Sequence, residues 1–437
     1  MREAVAAAGV VGAGGAGFPT AVKLEAQVEY VIANAAECEP LLQGNQELIL
    51  HAAGEIITGI KAVMLATGAR KGIIALKGKH QQQVEHLRVF LQDREDIELF
   101  LLDDFYPAGD EYVLVYEALG RIIPEAGLPL DVGAVVNNVE TLYNVARALQ
   151  GIPVTERLVT VTGWVEKPLT VSSLIGTPFR RLVELARPQG SDFAVLEGGP
   201  MMGVAVEDLD KPVTKTTGGL IVLPSSHQLL ERARVRLAWD LKRAQAVCCN
   251  CTACTETCPR HLIGHDLEPH RIMKGLAWNM DSLDLSQALL CSECGLCESY
   301  ACVMDLSPRR INRYLKSLLQ QQGIKFQRRN KELVVDPWCF GRRIPTSRLC
   351  NRLGLAAYVR EAPLNAATVE TERIILPLRQ HIGAPSQAVV KVGERVEAGA
   401  LVAQKPAKSL GANIHTGLSG RVEKVSAAAI VITREGG

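Results

Sequence analysis

Nine of the twelve cysteines lie between positions 248 and 302, in two runs whose spacing suits one kind of metal chemistry. The first run, Cys248-Cys249-Asn250-Cys251-Thr252-Ala253-Cys254-Thr255-Glu256-Thr257-Cys258-Pro259, contains the bacterial ferredoxin spacing C-x2-C-x2-C-x3-C-P, with Cys248, Cys251, Cys254 and Cys258 as ligands. Cys249 falls off that spacing. The second run offers Cys291, Cys294, Cys297 and Cys302 in the same design, with one extra residue before the last cysteine and Val303 in place of the proline. Two-residue spacers let a tight loop present three thiolates to three corners of an iron–sulfur cube, while the fourth cysteine opens the next helix and points elsewhere. Zinc usually takes two separated C-x2-C pairs rather than two triplets. The runs therefore predict two [4Fe–4S] clusters.

In two-cluster ferredoxins the fourth cysteine of each run serves the other cluster. Cys302 is thus expected to join Cys248, Cys251 and Cys254, and Cys258 to join Cys291, Cys294 and Cys297. The altered turn before Cys302 makes the first of these clusters the more labile one. Cys38, Cys339 and Cys350 share no ligand spacing and read as small buried hydrophobes. His261, His265 and His270, though near helical spacing, read as satisfied histidines rather than ligands.

A second chemical signal lies at the N-terminus, where Gly12-Ala13-Gly14-Gly15-Ala16-Gly17 matches G-x-G-x-x-G and Glu37 follows about twenty residues on. An ordinary dinucleotide fingerprint needs a strand before the glycines, whereas Glu3 to Ala8 is alanine-rich and reads as helix. What remains is a phosphate cradle. Successive glycine N–H groups can approach a phosphate closely, Pro19 suits the first turn of a helix, and Lys23 brings a positive charge one turn later.

These residues need several supporting domains, which the length of 437 residues allows. Residues 1–150 alternate strand-like runs (Tyr30 to Ala35, Gly72 to Lys77, Ile97 to Leu102) with helical stretches such as Gln82 to Gln92, the rhythm of an α/β domain. Residues 155–222 carry short runs separated by glycine and proline, a small mixed β domain. Gln228 to Ala246 has a helical period and leads into a cysteine-rich helical domain at 245–320. The polar, basic stretch 321–345 reads as a solvated connector, and residues 366–437 as a compact β sandwich or barrel. Lys405 and Lys408, on either side of Pro406, lack the hairpin motif of a lipoyl or biotinyl carrier.

Formal net charge is +1, and the basic stretch lacks interleaved aromatics, so no nucleic-acid partner is expected. No unbroken apolar run approaches the roughly eighteen residues of a membrane span. No secretory signal pattern opens the chain, and a cytoplasmic location is expected.

The stretch Gly12 to Lys23, together with Asn34-Ala35-Ala36-Glu37-Cys38-Glu39-Pro40, Tyr106-Pro107-Ala108-Gly109-Asp110-Glu111 and Asn137-Asn138-Val139-Glu140-Thr141, resembles the flavin domain of the NADH-oxidising subunit of respiratory complex I and of RnfC. That resemblance implies a Rossmann-like α/β domain binding FMN through Gly12, Gly14, Gly15, Gly17, Lys23, Asn34, Glu37, Asn137, Asn138 and Thr141. It implies NADH stacked near Phe18, Glu39, Tyr106 and Glu111. Complex I subunits carry aspartate where this chain has Ala36. Residues 155–222 resemble the β-grasp (SLBB-like) module of the same family, and the C-terminal stretch with His381 and His415 resembles the RnfC barrel-sandwich hybrid.

Placement of that module at the C-terminus resembles the cobalamin reductases of propanediol-utilising bacterial microcompartments. The implied fold is multidomain α/β plus α+β: flavin domain, β-grasp, helical dicluster ferredoxin domain and barrel-sandwich hybrid. The implied function is passage of electrons from NADH through FMN and two [4Fe–4S] clusters to a corrinoid. The implied partners are that corrinoid, its adenosyltransferase and microcompartment shell proteins. Two alternatives are an RnfC-like subunit of a membrane complex and a flavin-free protein that wires one partner to another.

Overall fold

The computed structural model describes residues 1–280, 283–328, 332–366 and 369–435. Near the N-terminus, runs of Val, Ile and Ala form strands buried on both faces, as parallel strands covered by helices must be. These are β1 (Tyr30–Asn34), β2 (Lys71–Lys77), β3 (Ile97–Leu102) and β5 (Ala134–Asn138), with the two-residue β4 (Phe105–Tyr106) outside their sheet. The sheet order is β3-β2-β1-β5, and all three pairings are parallel. Alternate residues serve opposite cores: Val31, Ala33, Ile74 and Leu76 face one, and Ile32, Ile73 and Ala75 the other. Helices Gly44–Thr67, Gln81–Leu91 and Val139–Leu149 cover the first face and Glu111–Leu119 the second.

The helix Gly44–Thr67 has 24 residues. Among the described residues it is long and apolar enough to cross a membrane, with a mean hydropathy of 1.6, yet 61% of that window is buried inside the protein. It is the core helix of the parallel sheet, packed against Val139–Leu149. At their crossing a Cβ on Gly59 would collide with the Leu142 carbonyl. Gly59→Ala is therefore expected to force the two helices apart and cost about 1–3 kcal/mol, visible as a lowered denaturation midpoint.

The second sheet contains β6 (Glu156–Gly163), β7 (Leu169–Leu174), β8 (Phe193–Glu197), β9 (Val204–Val206) and β10 (Gly219–Pro224). Its order is β12-β7-β6-β10-β8-β9, where β12 is Leu364–Asn365 from far along the chain. The amphipathic helix Phe179–Ala186 closes its core. The helical period from Gln228 to Ala246 is realised as two helices, Gln228–Arg234 and Leu237–Val247, because Val235 is extended (ψ 136°). Helices Leu237–Val247, Pro269–Trp278 and Pro308–Gln321 then share one core with Cys258, Cys291 and Cys302. The C-terminal strands form a four-stranded and a three-stranded sheet.

The basic stretch 321–345 is not a free connector. The guanidinium of Arg343 pairs with Glu117 and with Asp103 (2.9 Å) and lies over the rings of Phe105 and Phe340 at 4.6 and 4.2 Å. Arg328 donates to the Glu125 carbonyl at 2.8 Å, Arg342 pairs with Glu256, and β11 (Ile344–Pro345) pairs with β4. Arg329 and Lys331 lie outside the described residues. A charge run reads as solvated because its partners are distant in sequence: those of Arg328 and Arg343 named here lie on the first domain, more than two hundred residues away, and Glu256 lies in the first cysteine run.

Candidate functional site

The glycine segment runs from the helix Arg2–Ala7 into a loop closed by a bridge between Val11 and Pro19, and the helix after it, Thr20–Lys23, has only four residues. A helix so short adds little macrodipole, so the charge on Lys23 counts for more than the helix start. The loop is held by identifiable bonds. Gly12 N–H donates to the Phe18 carbonyl at 2.8 Å and Ala13 N–H to the Thr141 hydroxyl at 2.9 Å. Gly17 has φ +68°, and a Cβ there would sit 2.9 Å from Thr216 Cγ2 and 3.1 Å from His381 Cα. Gly15, at φ +135°, has no atom within 4 Å of where a Cβ would lie, so that side of the loop is open.

The loop meets the C-terminal end of β5, and that end of a parallel sheet is where ligands bind. At the end of β5, Asn138 lies against Gly14, with its Cβ 3.5 Å from a Cβ placed there, and it donates to Asn45 Oδ1 at 3.2 Å. Its neighbour Asn137 is buried, and its amide nitrogen has no hydrogen-bond partner. At the end of β1, Asn34 donates to the Gly109 carbonyl at 2.8 Å. Lys23 reaches beneath and donates from Nζ to the Val136 carbonyl at 2.8 Å. Its side chain is only partly exposed, and desolvation pulls its pKa below the ordinary lysine value while Glu111 pulls it back up. Burial raises the Glu111 carboxyl, opposed first by Lys23. A desolvated ammonium, an open glycine turn and an orphaned buried amide fit a phosphorylated cofactor.

Three other residues expected around a nucleotide are engaged by protein. Glu37 (φ +36°) accepts from Asn45 N–H at 2.9 Å, and burial raises its carboxyl. Glu39 accepts from Met201 and Met202 N–H at 2.9 and 3.0 Å, and burial pushes it up to about 7. The Tyr106 hydroxyl donates to the Cys294 carbonyl at 2.7 Å. Tyr106 thus stands where the α/β domain meets the second cysteine run, and Glu39 where it meets the turn between β8 and β9. Phe18 is half-buried.

The cysteines gather as two sets. One cavity is lined by Cys248, Cys251, Cys254 and Cys302, with Cys249, His270, Met304 and Leu306 among its other walls. Cys302, Cys251 and Cys248 are the charges that raise Cys254, which burial and their repulsion push up to about 12. Cys258 interacts with Cys291, and Cys294 with both Cys258 and Cys291. The fourth cysteine of each run therefore faces the other run's triplet. The extra residue before Cys302 is absorbed by a π-helical turn over Cys297–Ala301, which takes up an insertion by widening the helix. Four sulfurs that ring one cavity suit the corners of a cube.

The two sets differ in depth. Cys251 is exposed and Cys248 half-buried, whereas Cys258, Cys291, Cys294 and Cys297 are all buried. The sets adjoin, because Cys254 is among the charges acting on Cys297. Cys249 is exposed, and Cys339 and Cys350 are buried in apolar clusters. His265 bonds the Ile123 carbonyl at 2.9 Å and His270 the Thr255 hydroxyl at 2.7 Å.

Comparison with known proteins gives this arrangement a family. Residues 5–147 match the Nuo51 FMN-binding domain, 247–307 a 4Fe-4S dicluster domain and 357–435 the RnfC barrel sandwich hybrid domain. The protein called cobalamin reductase PduS in Salmonella typhimurium is 47% identical over 99% of this chain and 96% of its own length. The chain belongs to the PduS family. Its counterpart in Citrobacter freundii is 45% identical over the same shares. A crystal structure of NAD+-reducing [NiFe]-hydrogenase in the H2-reduced state aligns at a TM-score of 0.49 and 25% identity, covering 74% of this chain and 61% of that one.

Membership in the PduS family leaves unassigned several residues that the motifs do not contain. Arg157, in β6, forms a buried pair with Glu140 at 2.6 Å and donates to the Ala13 carbonyl at 2.7 Å and the Thr217 carbonyl at 3.0 Å. It therefore clamps the glycine loop to the second sheet. Its one sequence signal is a charged residue at the mouth of an apolar strand. Arg157→Ala leaves Glu140 buried and unpaired, and is expected to cost about 3–5 kcal/mol in chemical denaturation. Lys215 is fully buried and donates to the Gly9 and Asn413 carbonyls at 2.6 and 2.7 Å, joining the approach to the glycine loop to the C-terminal sheets. Burial pushes its pKa down to about 7.

Proposed function

We propose that this chain is a flavin and iron–sulfur oxidoreductase that passes electrons from NADH to a corrinoid, acting as a cobalamin reductase of a propanediol-utilisation microcompartment. The observation that carries the reading is the 47% identity to cobalamin reductase PduS over 99% of the chain, and the Tyr106–Cys294 hydrogen bond with the apolar cluster around it joins the α/β domain to the inner cysteine set. When bound, the flavin accepts a hydride and releases single electrons, which is what [4Fe–4S] clusters can take.

Each domain has its part. In residues 1–150, read as a Rossmann-like domain, Gly12, Gly14, Gly15, Gly17 and Lys23 hold the FMN phosphate. Asn34, Glu37, Asn137, Asn138 and Thr141 shape the same pocket, with Phe18 and Glu111 toward NADH. The engaged hydroxyl of Tyr106 supports a role at the junction with the clusters, and the engaged carboxylate of Glu39 one at the turn between β8 and β9. Residues 155–222, read as a β-grasp module, brace the glycine loop through Arg157. Residues 245–320 hold two [4Fe–4S] clusters. Cys258, Cys291, Cys294 and Cys297 hold the inner one, and Cys248, Cys251, Cys254 and Cys302 the outer. The exposure of Cys251 makes the outer cluster the point at which electrons leave. Residues 366–437, read as a barrel-sandwich hybrid, pack against the approach to the loop through Lys215. The corrinoid's adenosyltransferase and shell proteins are the partners this role implies.

The test is an anaerobic NADH titration of reconstituted protein, followed by absorbance and EPR, with and without cob(III)alamin. Bleaching of the flavin, then cluster EPR signals, then their loss with formation of reduced cobalamin is the expected order. NADH that reduces neither flavin nor clusters removes it as the donor. Reduced clusters that persist with cob(III)alamin present remove the corrinoid as the acceptor.

A further inference from the structure

The helix Pro308–Gln321 lies along the second cysteine run and turns one polar residue into the core. Asn312 has no solvent exposure, and neither its amide nitrogen nor its oxygen has a protein hydrogen-bond partner of ordinary geometry. A buried amide left in that state is destabilising, and packing alone does not require it, since leucine has a similar volume. The Asn312 side chain is a neighbour of the Cys291 thiol, in the core that its helix shares with that cysteine. Residues three and four apart share a helix face, and of the four such neighbours of Asn312 two, Arg309 and Lys316, are cationic. Lys316 donates from Nζ to the Cys291 carbonyl at 2.7 Å. Arg309 pairs with Glu298 at 2.8 Å and is acted on by Cys297 and Cys294. The outer set lacks this company. Cys302 Sγ accepts from Leu306 N–H at 3.3 Å, and the charges acting most strongly on Cys254 are those of three other cysteines.

We propose that Asn312 sets the potential of the inner cluster: its amide donates a hydrogen bond to the Cys291 sulfur and, with Lys316 and Arg309, makes that cluster easier to reduce. Reduction adds negative charge to the cube and its sulfurs. A donor and two cations beside those sulfurs stabilise the reduced state more than the oxidised one. Asn312 is thus a positioning residue acting through Cys291, and this role rests on the cluster assignment under Proposed function.

The test is an EPR-monitored redox titration of the full-length reconstituted protein, after iron and sulfide analysis has shown whether two clusters are present. Wild-type protein without two clusters fails the cluster assignment, separately from this role. Asn312→Leu should lower the reduced-to-oxidised ratio of the inner cluster about tenfold at fixed potential, about 59 mV for a one-electron couple. The outer cluster should be unmoved. Lys316→Met should shift the inner cluster the same way by less. A shift shared by both clusters, as general loosening would produce, or no shift in either, overturns the role. If Asn312→Leu fails to load its inner cluster, wild-type protein labelled with 15N-asparagine decides. A 15N coupling to the reduced inner cluster in pulsed EPR supports the hydrogen bond, and its absence overturns it.

Discussion

Lys23→Ala protein is expected to emerge from gel filtration folded but without FMN. In wild-type protein the Lys23 ammonium sits beneath the loop of Gly12 to Gly17, bonded to the Val136 carbonyl and desolvated enough that its pKa falls. A phosphate brought to the loop restores a partner for that charge. Hydrogen bonds to charged groups are worth about 1.5–3 kcal/mol, and a phosphate left unpaired beside desolvated groups loses at least that much. A loss of about 2–3 kcal/mol weakens binding roughly 30- to 150-fold, enough to strip a non-covalent cofactor during chromatography. The flavin-to-protein ratio, with circular dichroism to establish folding, is the measurement. Stoichiometric FMN in the variant would mean that the phosphate lies elsewhere.

Removing one thiol at the far end of the cysteine region should have an effect at its near end. Cys302→Ala is expected to abolish the cluster of Cys248, Cys251 and Cys254 while that of Cys258, Cys291, Cys294 and Cys297 survives, so that iron per chain falls by about half. Cys302 lines the same cavity as the first triplet, and Cys258 interacts with the second. The outer set is also the more accessible to solvent. Iron analysis and EPR distinguish the outcomes. Loss of the inner cluster in place of the outer would show that Cys302 serves its own run.

The two chemical sites were legible in the sequence because each depends on local spacing. A C-x2-C-x2-C triplet fixes three thiolates within one loop whatever surrounds it, and clustered glycines mark a backbone that must turn tightly. Strands such as Tyr30–Asn34 and Ile97–Leu102 were legible for a similar reason, since their apolar runs are bounded by breaks in period. The fourth ligand of each set is less local. Its direction depends on the turn that follows, and the π-helical turn at Cys297–Ala301 leaves no mark on the sequence beyond one surplus residue.

What joins the sites was decided only by tertiary structure. Tyr106 meets Cys294 across 188 positions of sequence, Arg157 meets Ala13 across 144, and Lys215 meets Asn413 across 198. The basic stretch 321–345 became a strap for the same reason: Arg343 finds Glu117 and Asp103 on a domain already folded. Asn312 is the clearest case. On a helix with an amphipathic period an asparagine reads as one polar residue among many, and it comes to stand in the core beside Cys291 only once that helix is buried against the second run. Spacing along a chain fixes which atoms can reach one point within a loop. Which side chain stands beside that point from another element depends on how the elements pack, and that is a property of the whole fold.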